Sequence, residues 1–265
     1  MSGEDLATGL DTSVPHSARI WNYWLGGKDN FPIDREVGER YREINPGIVK
    51  TAQESRYFIA RAVRYLAGEA GVDQFLDVGT GLPTVDNTHE VAQRVNPACR
   101  IVYVDNDPLV LSYARALLTS TPDGATAYVD ADAREPQKIL ADAFKTLDSS
   151  RPIALMLMGL LGHIADYGEA RSIVRELLNG LPSGSYLAIY DGVDTKEASR
   201  RALQHYKQSG AVAYNLRTPE QIVGFFEDLE LIDPGVVQIQ QWRPDIAVID
   251  PSPDVNSFGG IARKP

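Results

Sequence analysis

Glycines and carboxylates follow three consecutive apolar runs of the sequence, each at the point where the run ends. The runs lead into DVGTG at residues 77–81, VDNDP at 104–108 and VDADAR at 129–134. Glycine turns let the backbone approach a ligand closely, and carboxylates accept hydrogen bonds from hydroxyl and amine groups. These residue types are suited to binding a nucleoside whose sugar and base are both recognised.

The first segment is a glycine turn of the kind that binds nucleotide cofactors at the carboxyl end of a strand. Its predicted cofactor-binding residues are Asp77, Gly79, Thr80 and Gly81. The spacing resembles the acidic-x-G-x-G-x-G pattern of methyltransferases, with Pro83 in place of the last glycine. The dinucleotide fingerprint G-x-G-x-x-G would instead need a glycine at Thr84. A structural turn that binds no ligand is the alternative.

The second segment places Asp105 24 residues after Gly81, where a carboxylate is positioned to accept both hydroxyls of a ribose. Asn106 beside it is a further predicted cofactor contact. Asp107 and Pro108 are typical of a helix start, with the aspartate as N-cap and the proline at the first helical position. A solvated loop acid is the alternative interpretation of Asp105.

The third segment offers a carboxylate to the exocyclic amine of an adenine. Asp132 is the predicted acceptor, with Asp130 as its close rival, and the backbone N–H of the adjacent Ala133 would meet a ring nitrogen. Nicotinamide dehydrogenases do not generally need an acid at this position. The three segments together therefore favour S-adenosylmethionine over NAD as the cofactor.

Strands alternating with helices must position these segments. The predicted strands, each with the helix that follows it, are 74–78 and 87–95, 100–104 and 108–118, 125–129 and 136–144, 153–158 and 170–178, and 185–190 and 195–208. This alternation predicts βαβ units in a mainly parallel sheet with helices on both faces. After a helix at 219–229, strands at 236–240 and 257–262 follow without a helix between them, which favours an antiparallel pair and a reversed last strand.

The pattern of polar and apolar residues divides the chain into three parts. Residues 1–14 are polar and are predicted to form a flexible N-terminus. Residues 15–70 are predicted to be a helical segment that packs on the site or caps it, and residues 71–265 a Rossmann-like domain.

Composition argues against several classes of function. The net charge of −10 disfavours extended binding of nucleic acid, and we interpret Arg56, Arg61 and Arg64 as one solvated helix face. The lone Cys99 allows no intrachain disulfide or cysteine metal cage, and the histidines show no metal-ligand spacing. The longest apolar run, 153–161, is too short to span a bilayer. We therefore predict a cytoplasmic protein with no metal site.

Two residues are candidates for acid–base chemistry. His163 follows the fourth predicted strand, and a histidine titrates near neutral pH; a hydrogen-bonded structural histidine is the alternative. Tyr190 ends the fifth predicted strand, with Asp191 beside it. A hydroxyl that accepts a methyl group would need such a base, whereas an amine that loses its proton freely would not.

Residues 15–31, PHSARIWNYWLGGKDNF, are similar to the N-terminal signature of a bacterial S-adenosyl methyltransferase family first catalogued as a domain of unknown function. Residues 75–89, 102–108 and 181–188 resemble the same family. The resemblance implies an α/β, Rossmann-like class I methyltransferase fold: a mainly parallel seven-stranded sheet with its last strand antiparallel, helices on both faces, and extra N-terminal helices. It implies S-adenosylmethionine as cofactor, and we predict in-line methyl transfer to a small-molecule acceptor.

The N-terminal signature also contains polar side chains that could close over the cofactor. Arg19, Tyr23 and Lys28 are the predicted contacts, since a cation forms charge-assisted hydrogen bonds to a carboxylate. The structural alternative is that Trp21 and Trp24 pack a helix on the sheet and the polar residues lie on its surface.

Two other functions remain open from the sequence. One is a non-catalytic S-adenosylmethionine-binding or regulatory protein, and the other, less favoured, is an NAD-dependent oxidoreductase. The sequence predicts neither the acceptor nor an oligomeric state.

Overall fold

The computed structural model describes residues 12–117, 119–245 and 255–265, and the side chains of all of these except 114–117. Most of the predicted flexible N-terminus and the last residue of the predicted helix 108–118 lie outside the described residues. So does most of the loop before the last predicted strand.

One mixed sheet organises the fold. Its strands are β1 Gln74–Val78, β2 Arg100–Asp105, β3 Ala125–Asp130, β4 Ala154–Met158, β5 Tyr186–Gly192, β6 Glu230–Leu231, β7 Val237–Gln238 and β8 Ser257–Arg263. Their order is β3-β2-β1-β4-β5-β8-β6, with β7 also paired to β8. Strands β1 to β5 are parallel, and β8 runs antiparallel to β5, β6 and β7. The predicted mainly parallel sheet with a reversed last strand is confirmed.

Helices cover both faces of this sheet. They are α1 Ser17–Trp24, α2 Pro32–Ile44, α3 Ile48–Arg64, α4 Thr88–Val95, α5 Pro108–Leu117, α6 Pro136–Ala143, α7 Tyr167–Asn179, α8 Glu197–Gln208 and α9 Pro219–Val223. Leu76 of β1 faces a core shared with α6 and α7, whereas its neighbour Phe75 faces a core shared with α3 and α4. Both faces of the central strands are therefore buried, which is why they read as continuous apolar runs.

The C-terminal part of the chain differs from the sequence prediction. The predicted helix 219–229 ends at Val223, continues as a 3-10 turn to Phe226, and is followed by the unpredicted strand β6. Asp228 has a φ of 64°, a left-handed conformation that no helix continues. Among the described residues the sheet consequently has eight strands, not the seven predicted, because the two-residue strand β6 lies at its edge.

The N-terminal helices form a layer of their own beside α8. Ile20 and Trp24 of α1 and Tyr41 of α2 share a hydrophobic cluster with Leu203 and Tyr206 of α8. Helix α3 continues from this layer onto the sheet, where Phe58 packs edge-on against Tyr190 and Trp242. The layer therefore stands over the carboxyl ends of β4 and β5.

Candidate functional site

A cavity of about 380 Å³ opens at the carboxyl ends of the central strands. It lies where the order of connection reverses, because β1 is flanked by β2 on one side and by β4 on the other. Open α/β sheets bind their ligands at this kind of point, and ligand pockets range over roughly 300–1,000 Å³. The sequence prediction placed its three cofactor segments at this edge, and all three line the cavity.

Gly79 and Gly81 determine the backbone conformation of the loop after β1. Both have positive φ values, 76° and 65°, which strain any residue with a side chain. A Cβ on Gly79 would lie 2.6 Å from Leu160 Cδ1, so the Leu160 side chain would have to shift to admit one. Thr80 beside them donates from its hydroxyl to the Asp77 carbonyl at 3.1 Å and lines the cavity.

Asp105 connects the loop after β2 to the loop after β1. Its Oδ2 accepts a hydrogen bond from the Gly81 N–H and its Oδ1 accepts one from the Asp107 N–H, both at 3.0 Å. Burial raises the pKa of this carboxyl group, and the two N–H donors act in the opposite direction. Each oxygen of a carboxylate has room for a further donor. The group is therefore held in place with acceptor capacity facing the cavity, as a ribose requires.

Hydrogen bonds connect the loop after β3 to the loop after β2. Asn106 Nδ2 donates to Asp132 Oδ2 at 2.9 Å, and the Arg134 N–H donates to Asp132 Oδ1 at 2.8 Å. Asp132 and Ala133 line the cavity, whereas Asp130 is exposed at the end of β3 and does not. The structure thus separates the two rival acids and leaves Asp132 at the site.

Asp77 and Arg56 lie together at the other end of these loops. Thr88 Oγ1 donates to Asp77 Oδ2 at 2.6 Å, and burial raises the pKa of Asp77 to about 6 while the Arg56 charge acts to lower it. Arg56 Nη2 donates to the carbonyls of Val85 and Asp86, at 3.2 and 2.8 Å. Its Nε is buried with no hydrogen-bond partner among the residues described. An anchored guanidinium beside a carboxylate is suited to a zwitterion.

Sequence reasoning missed Arg56 and misjudged its neighbours. The three arginines 56, 61 and 64 do not share a solvated face: Arg61 is buried and donates to the carbonyls of Trp242 and Ile239, at 2.9 and 2.7 Å. Only Arg64 is exposed, where it pairs with Asp245. The helical spacing of Arg56 from the apolar residues Ala52 and Ile59 could have indicated that it lies on the inward side of α3.

The start of α1 covers the second loop. His16 Nε2 contacts Asp107 Oδ2 at 3.1 Å, and Ala18 packs with Leu82 and Val110 in a small apolar cluster. His16 also caps α1, since its Nδ1 accepts from the Ala18 N–H at 3.3 Å. Asp107 itself caps α5 through the Leu109 N–H at 2.8 Å. The N-terminal segment therefore contacts the loop after β2 through residues 16–18, and its residues 21, 22, 24 and 25 line the cavity further on.

The predicted N-terminal contacts Arg19, Tyr23 and Lys28 do not line the cavity. Arg19 is buried against Asp34, with Nε 2.8 Å from Oδ2. The Tyr23 hydroxyl donates to Glu39 Oε2 at 2.8 Å, and Lys28 is exposed. Arg19 and Tyr23 stabilise the helical layer, because α1 turns these two side chains toward α2.

Replacing Arg19 with methionine should destabilise the protein without changing cofactor affinity. The change leaves the fully buried Asp34 without its ion-pair partner, which costs about 3–5 kcal/mol. Arg40→Met is the control, because Arg40 is 74% exposed and lies 4.0 Å from Glu36. Chemical denaturation measures the difference, and equal stability of the two variants would contradict a structural role for Arg19.

His163 and Tyr190, the predicted catalytic candidates, both line the cavity. His163 Nδ1 is 3.1 Å from the Ala213 carbonyl oxygen, and its ring meets the Tyr214 ring edge-on at 5.1 Å. Burial lowers the pKa of His163 and raises that of Tyr190 to about 12. Near neutral pH the imidazole is therefore available as a base, whereas the phenol stays protonated and can only donate.

Two buried carboxyl groups predict how stability changes with pH. Burial raises the pKa of Asp77 to about 6 and that of Asp191 to about 7, so the folded state retains protons that the unfolded state has released. We expect these two groups to lower the unfolding free energy of the cofactor-free protein by roughly 2–4 kcal/mol between pH 5 and pH 7.5, while the lowered pKa values of His89 and His163 act in the opposite direction. Asp77→Asn should flatten the lower half of this decline in denaturation curves. An identical pH dependence in Asp77→Asn and in the unaltered protein would refute the expectation.

Comparison with known proteins identifies the family. The sequence model of the S-adenosyl methyltransferase family matches residues 3–265. The chain belongs to that family. It is 44% identical to a DUF574 family protein from Streptomyces avermitilis, covering 96% of this chain and 99% of that one with a TM-score of 0.92.

Two further structures place the fold. A provisionally assigned methyltransferase from Thermobifida fusca is 44% identical, with 97% of each chain covered and a TM-score of 0.89. A SAM-dependent methyltransferase from Anabaena variabilis is 16% identical, with 87% and 94% covered and a TM-score of 0.53, and shows the fold alone. No curated protein matches the chain. The cofactor of this family is S-adenosylmethionine.

The residues at the site fit that cofactor. A Cβ on Gly81 would meet nothing within 4 Å, so the backbone of this cavity-lining residue is open to the close approach of a ligand. The buried Arg56 Nε has no partner among the residues described, and a methionine carboxylate is an acceptor of the right charge. The carboxylates Asp77, Asp105 and Asp132 offer acceptors for an ammonium group, a ribose and an adenine amine.

Other classes of site find no support in the described parts of the chain. There, no group of three or more His, Cys, Asp or Glu side chains is arranged to hold a metal ion. Across the same residues, no helix combines the length and the apolarity needed to cross a membrane.

Proposed function

We propose that the chain transfers a methyl group from S-adenosylmethionine to a small-molecule acceptor. The observation that supports this most is the continuity of the cavity, which extends from the three cofactor loops into a second space beside the N-terminal helices. We call this space the acceptor chamber and define it by Trp24, Tyr41, Ser199, Leu203, Tyr206 and Val212. A protein that only bound the cofactor would have no need of it.

In this proposal three residues of the cofactor loops and one of α3 bind the cofactor. Asp105 accepts the ribose hydroxyls, Asp132 accepts the adenine amine, Asp77 binds the ammonium group and Arg56 binds the carboxylate. When bound, the cofactor supplies a methyl group made electrophilic by a sulfonium. The contribution of the protein is orientation and the exclusion of water, which need no covalent intermediate on an enzyme residue.

His163 is the proposed base when the acceptor is a hydroxyl. A carbonyl oxygen only accepts, so the contact with Ala213 places the hydrogen of neutral His163 on Nδ1. The lone pair is then on Nε2, where it accepts the proton that the hydroxyl releases. The Tyr214 ring packs edge-on against the imidazole. The Tyr214 hydroxyl donates to Asp191 and accepts from the Gly192 N–H. These two hydrogen bonds hold the Tyr214 ring in place beside the imidazole.

Release of S-adenosylhomocysteine over a panel of small hydroxyl, thiol and amine compounds tests the proposed function. We expect release that depends on the acceptor. For a hydroxyl acceptor we also expect a rate about 10²- to 10⁴-fold lower in His163→Gln, with unchanged cofactor affinity and full activity in the control His205→Gln, which alters an exposed residue of α8. Tight cofactor binding without release on any panel member would instead favour the non-catalytic alternative.

A further inference from the structure

The acceptor chamber is walled by aromatic rings. The Trp24 and Tyr41 ring centroids are 5.0 Å apart, and those of Tyr41 and Tyr206 are 6.1 Å apart with perpendicular planes. Trp21, which also lines the cavity, extends the series with an edge contact to Trp24 at 5.6 Å. These contacts hold the rings in fixed orientations, so a flat ligand would meet ordered faces and edges.

Charge is confined to the other end of the cavity. Among the described residues that line it, the aspartates and arginines are all at the cofactor loops: Arg56, Asp77, Asp105, Asp107, Asp132 and Arg134. The acceptor chamber is lined by apolar, aromatic and uncharged polar side chains. A carboxylate, phosphate or ammonium group placed there would lose hydration without gaining a counter-charge, which is costly.

Two buried charged residues beside the loops after β4 and β5 already have partners within the protein. Asp191 accepts from the Tyr214 hydroxyl and from the Gly162 N–H. Arg217 donates to the carbonyls of Leu161 and Ile164. These groups hold the loops after β4 and β5 in place, and they present no charge to a ligand.

One side of the chamber offers a neutral hydrogen-bonding group. Ser199 Oγ accepts from Asn45 Nδ2 at 3.2 Å and from Asn256 Nδ2 at 2.9 Å. Asn256 is itself fixed, since its Oδ1 accepts from the Thr195 hydroxyl at 2.7 Å. With both lone pairs of Ser199 engaged, its hydroxyl is a donor, and all three side chains Asn45, Ser199 and Asn256 line the cavity.

We propose that the acceptor chamber binds an uncharged aromatic small molecule, with its rings against Trp24, Tyr41 and Tyr206 and an oxygen of the ligand on the Ser199 hydroxyl. This inference rests on the proposed function, because it names the class of acceptor that the same site would take.

Calorimetric titration of four matched probes into protein saturated with S-adenosylhomocysteine tests the inference. The probes are 2-naphthol, 2-naphthoate, 2-naphthylmethylammonium and decahydro-2-naphthol. We expect 2-naphthol to bind at least tenfold more tightly than either charged probe, and more tightly than the saturated alcohol. Equal or tighter binding of a charged probe or of the saturated alcohol would overturn the inference. So would no binding of any probe while S-adenosylhomocysteine still binds, and that result would leave the cofactor assignment intact.

An added charge provides a second arm. Val212 is 50% exposed and lines the chamber, so Val212→Lys places an ammonium group at its rim at little cost to folding. We expect this variant to bind 2-naphthoate at least fivefold more tightly than the unaltered protein does, and so to narrow the preference for 2-naphthol over 2-naphthoate. Val223→Lys is the matched control, because Val223 is 46% exposed and lies outside the cavity lining. Unchanged 2-naphthoate affinity in Val212→Lys would show that the probes bind elsewhere and would overturn the inference. If S-adenosylhomocysteine itself failed to bind, the proposed function would fail first.

Discussion

Asp105→Ala is expected to weaken S-adenosylhomocysteine binding by about 100-fold or more. The substitution removes two charge-assisted hydrogen bonds to the ribose, each of about 1.5–3 kcal/mol, and each 1.4 kcal/mol is tenfold in affinity. It also leaves the Gly81 and Asp107 N–H groups without the carboxylate that joins the two loops. Isothermal titration calorimetry measures the change.

Asp130→Ala is the control for that experiment. Asp130 is the register partner of Asp105 at the end of the neighbouring strand β3, yet it is exposed and outside the cavity lining. The two variants remove the same group from adjacent strand ends. Comparable loss of affinity in both would mean that general charge, not the ribose contact, governs binding.

Arg56→Met is expected to reduce affinity for S-adenosylhomocysteine by about 10- to 100-fold, the value of one charge-assisted contact. Binding of 5′-methylthioadenosine, which lacks the amino-acid carboxylate, should not change. The reason is that Arg56 faces only the amino-acid end of the cofactor in our account, where Nη2 is anchored on the Val85 and Asp86 carbonyls. Competition titrations with the two ligands separate the two effects.

Arg64→Met controls for the loss of a cation from the same helix. Arg64 lies two turns further along α3, is exposed and pairs with Asp245, so its removal should leave both affinities unchanged. If Arg56→Met weakened both ligands equally, the arginine would be supporting the loop at 84–87 and not binding the carboxylate.

The sheet and three of its loops were predictable because their determinants are local. Apolar runs bounded by glycines and acids specify the parallel strands, and the carboxyl ends of such strands meet at one edge. Gly79, Asp105 and the pair Asp130 and Asp132 were placed at this edge from their position in the sequence alone. The choice between Asp130 and Asp132 could not be made from position, because it depends on which carboxylate the turn after β3 directs inward.

Arg56 was missed for a related reason. It precedes Asp77 by 21 residues and reaches the site through tertiary contacts with the loop after β1. Its spacing to Arg61 and Arg64 suggested a surface, although the burial of α3 on nearly every side places these arginines in three different environments. Helical spacing identifies a face, but it does not reveal what packs against that face.

The N-terminal signature shows the opposite case. Arg19 and Tyr23 lie in a segment specific to the family, and the expectation that such residues bind the cofactor followed from their chemistry. The structure directs Arg19 to Asp34 and Tyr23 to Glu39, within the helical layer. The buried Asp34 on α2 could not be identified as the partner of Arg19, because it has the sequence character of an ordinary residue of the first helical turn.

A crystal structure of the complex with S-adenosylhomocysteine tests the central claim most directly. Our account predicts the ribose hydroxyls on the Asp105 carboxylate, the adenine amine on Asp132 and the amino-acid carboxylate on the Arg56 guanidinium. Ligand density away from Gly79, or a ribose turned from Asp105, would contradict it.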